Sequence, residues 1–186
     1  AEAIRKNKAI TDAGIQLKEL AISDKEGEIT FNIQNENVES DSWQKGASSI
    51  LKRKEDESGN DIRVKTVRLD SVLNPELDKE IFLWVDVEGA AYEVLSGISN
   101  ILENILLVHV EVETQEIWKG QHVRKDVDEI MEGYGFTGIA RGKFDIQHDV
   151  VYVKNELLEQ RKLLMKSILM LSKILTYIRK WGGHIL

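Results

Sequence analysis

The chain has 186 residues, enough for one domain with a sizeable core, and its 42% hydrophobic and 31% charged content is that of an ordinary soluble globular protein. A net charge of -7 argues against general nucleic-acid binding, because neutralising phosphates needs a basic face. With no cysteine, disulfides and cysteine metal sites are excluded. Residues 1–20 are mixed and charged, with no apolar core of a secretory signal, so the expected location is cytoplasmic.

In chain order, Glu2 to Asp12 reads as a helix, closed by Gly14 as a left-handed cap. Gln16 to Ile22 reads as a strand, Asp24 to Gly27 as a turn, and Glu28 to Ile33 as a second strand. Residues 34–60 are polar, and so long a loop is more often functional or disordered than neutral. Ile62 to Leu69 alternates like a strand, and Asn74-Pro75 is a helix-start signal. Ile81 to Val87 and Ile105 to Val112 are near-continuous apolar runs, as expected of strands covered on both faces. Between them Glu88 to Ser96 reads as a helix closed by Gly97. Val123 to Tyr134 is an amphipathic helix, and Phe136 to Arg141 with Asp149 to Val153 form a hairpin. The alternation predicts an α/β layer sheet, parallel in the middle, with an antiparallel ending.

The segment Asp86-Val87-Glu88-Gly89 leaves a strand and enters a helix, where open α/β sheets place their chemistry. Two carboxylates two residues apart point the same way while the chain is extended. Glu111 ends the next apolar strand. Carboxylates here suit general-base work, hydrogen bonding to hydroxyls, or holding a divalent cation. They also commonly cap the next helix or pair with a nearby lysine. No run with metal-ligand spacing is present.

Four pieces in order resemble the FkbM-type methyltransferase family: Ala21-Ile22-Ser23-Asp24-Lys25-Glu26-Gly27, Val67-Arg68-Leu69-Asp70-Ser71-Val72-Leu73, Asp86-Val87-Glu88-Gly89-Ala90 with Val94-Leu95-Ser96-Gly97, and Val108-His109-Val110-Glu111. The resemblance spans residues 1–153. It implies a Rossmann-like class I methyltransferase sheet, mostly parallel with a C-terminal antiparallel hairpin. It implies S-adenosylmethionine as methyl donor and a hydroxyl of a sugar or polyol-like acceptor. On it, Asp86 is the first catalytic candidate, Glu88 and Glu111 orient the acceptor, and Ser23 and Asp24 contact the cofactor's adenine. A plain Ser-Asp-x-x-Gly turn explains the last pair equally well. The family's first strand with its glycine-rich cofactor turn, and its second strand with a ribose-binding acid, are not in these residues. The expectation is therefore a C-terminal portion, residues 1–154, of a longer protein that binds the cofactor poorly by itself. The alternatives are a non-catalytic remnant that binds a partner through its C-terminal helix and, more remotely, another nucleotide-binding α/β enzyme.

Other residues read more blandly. His109 reads as a satisfied core histidine, Glu113 as solvent-facing or a helix cap, and His122 and His148 as members of polar segments near strand ends. Trp43 anchors the long loop or stacks on a sugar face. After Val153 the character changes. Asn155 to Trp181 reads as one long helix capped by Gly182-Gly183, with one narrow apolar stripe of Leu157, Leu164, Ile168, Leu171, Leu175 and Ile178 and with Lys162, Lys166, Lys173 and Lys180 on the opposite face. Residues 155–186 carry six basic and two acidic side chains, a net of +4, which leaves -11 for the remainder. Such a basic amphipathic helix docks on its own domain, self-associates through residues 155–181, or lies on an anionic membrane surface. Recurring lysines exclude a membrane span.

Overall fold

A computed structural model describes residues 6, 8, 12–33, 48–54, 60–73, 79–141 and 146–181, apart from the side chains of residues 60, 140, 141, 172 and 174–181. In order, its elements are β1 (Ala21–Ile22), β2 (Gly27–Ile33), β3 (Asn60–Val67), a helical turn α1 (Leu69–Val72), β4 (Ile81–Val85), α2 (Ala91–Ser96), a 3-10 segment (Ser99–Asn104), β5 (Ile105–Glu113), α3 (Arg124–Gly133), β6 (Phe136–Arg141), β7 (Gln147–Lys154) and α4 (Asn155–Trp181). The helix expected over Glu2–Asp12 falls largely outside the described residues, as do Trp43, the Asn74-Pro75 helix start and the Gly182-Gly183 cap. Gly14 does adopt the left-handed conformation of a cap, with φ 68°.

The strands form two sheets, ordered β1-β3-β2 and β4-β5-β7-β6. Only β1 with β3 and β4 with β5 run parallel; the other three pairings are antiparallel. The expected mostly parallel sheet is therefore replaced by two mixed ones. The terminal hairpin of β6 and β7 is present as expected.

One face of the larger sheet makes the core. Val85, Val108, Val110, Val112, Val150 and Tyr152 pack against Val94, Leu95, Ile98, Ile101, Val127 and Met131 from α2, the 3-10 segment and α3. Each such side chain contributes roughly 1.5–3 kcal/mol on burial. The opposite face of β4 is open: Phe82 and Trp84 are 66% and 77% exposed. The expectation that this strand is covered on both faces is not met. Among the described residues β4 lies at one end of its sheet.

Boundaries shift for local reasons. The strand expected from Gln16 shrinks to Ala21–Ile22, the two residues that find partners in Thr66 and Val67. β3 stops at Val67, and Leu69 turns into α1. The helix expected from Glu88 starts at Ala91, because Glu88 and Gly89 both take left-handed backbone, φ 50° and 86°, which a helix cannot use.

The sheets are clamped together by the residues of the second motif. Asp70 is buried and accepts from Arg68 Nε at 3.0 Å, Arg68 Nη2 at 2.7 Å and the Asn100 N–H at 3.1 Å. The Asp70 N–H donates to the Gly97 carbonyl at 3.0 Å. A Cβ on Gly97 would lie 2.7 Å from the Ser23 carbonyl oxygen. The turn after β1, the Leu69-Asp70 segment and the glycine closing α2 thus meet at one point. Burial pushes the Asp70 carboxyl up, but the Arg68 guanidinium, the Asn100 N–H and Ser99 outweigh it and hold it below the usual range.

Candidate active site

Asp86 follows the last residue of β4 and is exposed at the end of the sheet. Two left-handed residues, Glu88 and Gly89, then turn the chain. A non-glycine residue held there costs about 1–2 kcal/mol, so other contacts must fix it. Ser49 Oγ donates to the Glu88 carbonyl at 2.7 Å. Trp118, 3% exposed, covers Gly89 so closely that a Cβ would sit 2.5 Å from its Cε3. The Trp118 segment is held in turn by the Lys54 N–H to the Ile117 carbonyl, 3.1 Å, and the Lys119 N–H to the Lys52 carbonyl, 2.7 Å.

β5 delivers Glu111 and Glu113 to one face, two residues apart. Asp86, Glu88 and Glu111 each place a carboxylate oxygen within 4.8 Å of the others. The structure therefore brings together the three residues expected to be catalytic. Their spacing also lets one divalent cation touch all three.

Behind them lies a second layer that sequence reasoning missed. Glu113 is only 2% exposed, which corrects its expected place in solvent or on a helix cap. Gln121 Nε2 donates to Glu113 Oε2 at 2.5 Å, while Gln121 Oε1 accepts from the Ile117 and Trp118 N–H groups at 2.8 and 3.2 Å. Gln147 Nε2 bridges Glu111 Oε1 at 2.7 Å and Glu113 Oε1 at 3.3 Å. The available signal was the Glu-x-Glu ending of β5, whose two carboxylates must share a face.

Crowded, half-buried carboxylates resist ionisation. Burial first, then the neighbouring Asp86 and Glu88, working against the Gln147 hydrogen bond, raise Glu111 to about 7. Burial, then Glu111 and Glu88, carry Glu113 to about 7 as well. Glu88 is raised by burial and by Asp86. Protons in this cluster belong to the group rather than to one residue.

A cavity of about 440 Å³ opens between the ends of β1 and β4, lined by Ala21, Ile22, Phe31, Ser48, Asp86 and Glu88 among others. Ser23 and Asp24 are not among its lining residues. Ser23 is buried, donates its N–H to the Val67 carbonyl at 3.0 Å and turns its hydroxyl to Asp24 Oδ1 at 2.9 Å. Asp24 lies 3.6 Å from Lys25 Nζ.

The histidines correct other expectations. His148, expected in a polar segment near a strand end, is instead buried at the second position of β7, 3.2 Å from Arg124 Nη1. His109 packs at a tilt of 36° against exposed Trp84, 4.3 Å between ring centroids, and its buried Nδ1 has no hydrogen-bond partner among the described residues, so it is not the satisfied core histidine expected. His122 stacks on Tyr92 at 3.8 Å.

Comparison with known proteins matches residues 2–137 to the methyltransferase FkbM domain, somewhat less than the expected span of 1–153. The 2-O-methyltransferase NoeI of Sinorhizobium fredii is 30% identical over 115 residues, 58% of this chain and 47% of that protein. The chain thus spans about half the length of this curated relative. The solved structure of magnesium protoporphyrin IX methyltransferase (ChlM) from Synechocystis PCC 6803 with bound SAM shares 17% identity at a TM-score of 0.32, over 43% of this chain and 42% of that one. With the family match reaching from before β1 to the start of β6, the chain belongs to the FkbM methyltransferase domain family.

Proposed function

We propose that this chain carries the acceptor side of an S-adenosylmethionine-dependent O-methyltransferase site, acting on a hydroxyl of a sugar or polyol. One observation carries the reading: Asp86, Glu88 and Glu111 converge, with Glu111 held at about 7. Membership of the family and a relative named as a 2-O-methyltransferase support transfer to oxygen.

When bound, S-adenosylmethionine supplies an electrophilic methyl group. The chain's own task is to present a hydroxyl oxygen in line and to take its proton. Asp86 and Glu88 accept hydrogen bonds from acceptor hydroxyls and fix their direction. Glu111 receives the proton, because a carboxyl near 7 is basic enough at neutral pH yet still partly ionised. Glu113, Gln121 and Gln147 hold Glu111 in place. On the cofactor side the fit is narrower. Ser23 spends its hydroxyl on Asp24, so we assign Ser23 to orienting Asp24 and Asp24 to meeting the cofactor.

The test is tritiated-methyl transfer to an oligosaccharide panel by the complete reading frame that carries these residues. Glu111→Gln and Asp86→Asn should each lower kcat about 10²–10⁴-fold with cofactor affinity kept. Near wild-type turnover in both variants would end the proposal. A divalent cation is a second reading, favoured by the three oxygens within 4.8 Å. There the metal would acidify the alcohol, and chelation by EDTA would abolish turnover reversibly.

A further inference from the structure

Helix α4 is the largest feature that the methyl-transfer reading leaves unused. Every residue from Glu159 to Leu171 is exposed, so this stretch stands clear of the described residues of the domain. Over that stretch, docking on the domain, one of the helix's expected uses, is not seen among the described residues. Leu164, Ile168 and Leu171 form the centre of its apolar side, with Leu163 and Met170 on one flank and Leu169 on the other, each 49% to 65% exposed. At 100° per residue, Lys162, Lys166 and Lys173 fall within about 40° of one another, in the gap between Met170 and Leu169. Apolar side chains therefore occur around most of the circumference, with Gln160, Arg161 and Ser167 interspersed among them.

That width decides between the possible occupants. A two-helix coiled coil buries a seam two positions wide per heptad and would leave Leu163, Leu169 and Met170 in water. It would also bring two cationic helices together, because no acidic residue follows Glu159 in α4. An anionic lipid surface satisfies both features. The acyl boundary takes the wide apolar arc, and long lysine side chains reach the headgroups. Charge complementarity is one-sided, +4 for residues 155–186 against -11 for the rest, which keeps the catalytic domain off such a surface.

We propose that α4 is an interfacial anchor that lies flat on anionic membrane. The proposal does not depend on the assignment of the carboxylate cluster. The test is co-sedimentation of the whole chain with vesicles of phosphatidylcholine containing about one-third phosphatidylglycerol, against phosphatidylcholine alone. The expected result is binding to the mixed vesicles only, weakening as salt is raised. Each basic residue near an anionic surface contributes about fivefold, so reversing two, Lys166→Glu with Lys173→Glu, should lower partitioning more than tenfold. Both lysines are exposed, so thermal unfolding of the domain should not change. Ile168→Asp should also abolish binding. Equal binding to both vesicle types, or none, would overturn the proposal. So would a lipid-free oligomer in sedimentation velocity that Ile168→Asp splits, since that outcome makes a second copy the occupant.

Discussion

Replacing Glu111 with Gln separates the cost of this site from its use. The folded protein holds the Glu111 carboxyl at about 7, against 4.5 when unperturbed. Because the folded value is the higher one, the native state binds the proton more tightly. That contribution to stability is complete below about pH 4.5 and is lost as pH rises through about 7. For an isolated group the gap is worth at most ~3 kcal/mol. Partial exposure, and sharing of the proton with Glu113 and Glu88, reduce it to roughly 1–2 kcal/mol. A glutamine at this position still accepts from Gln147 and offers its amide hydrogens to Asp86 and Glu88. The variant should therefore match wild type near pH 4.5 and exceed it by roughly 1–2 kcal/mol near pH 8, a rise in Tm of about 3–6 °C for a chain of this size. Thermal unfolding followed by circular dichroism at both pH values measures the difference. If the variant is less stable at both, or if the gap does not depend on pH, Glu111 is not a buried, crowded carboxyl and its role as proton acceptor loses its basis.

Three further outcomes follow from particular contacts. Gly89→Ala forces a Cβ to 2.5 Å from Trp118 in a left-handed backbone, so it should cost about 2–4 kcal/mol in chemical denaturation. Asp70→Asn strips the partner from Arg68 where three segments meet, and should cost about 2–3 kcal/mol at neutral pH. Its effect should fade only as pH falls through the lowered folded value of Asp70, which a denaturation series in acid would read. Calorimetry on this 186-residue chain should find no micromolar binding of S-adenosylmethionine, because the glycine-rich turn of the family is not among these residues; saturable micromolar heat would refute the reading of the described residues as the acceptor side and would count against a non-catalytic remnant too.

Periodicity located most elements, since β2, β5, the β6-β7 hairpin, α3 and α4 lie within a few residues of where the pattern puts them. It failed where pairing, not pattern, decides. Gln16 to Leu20 has the residues of a strand but no ladder partner, and only Ala21 and Ile22 extend beside β3. The apolar run ending at Val85 resembles a strand buried on both sides, yet Phe82 and Trp84 face outward, because composition cannot report whether a covering layer is present. The Leu69-Asp70 segment was legible as a motif. Its task, a buried carboxylate tying Arg68 to Asn100 and Gly97, depends on contacts about 30 residues away in the chain.

The carboxylate cluster shows how a convergence can be expected for an incomplete reason. Strand alternation was expected to point Asp86 and Glu88 the same way, but the strand ends at Val85 and Glu88 is left-handed. The two side chains converge because Ser49 and Trp118, from distant parts of the chain, lock an unfavourable turn. Convergence with Glu111 follows from the parallel register of β4 and β5, in which Val85 lies beside Val110, so the residue after each stands at the same end of the sheet. Strain at Glu88 and like charges at Glu111 both act against folding. A fold that carries both, and surrounds them with Gln121, Gln147 and buried Glu113, holds its acids where they cost stability, as the proposed uptake of a proton by Glu111 would require.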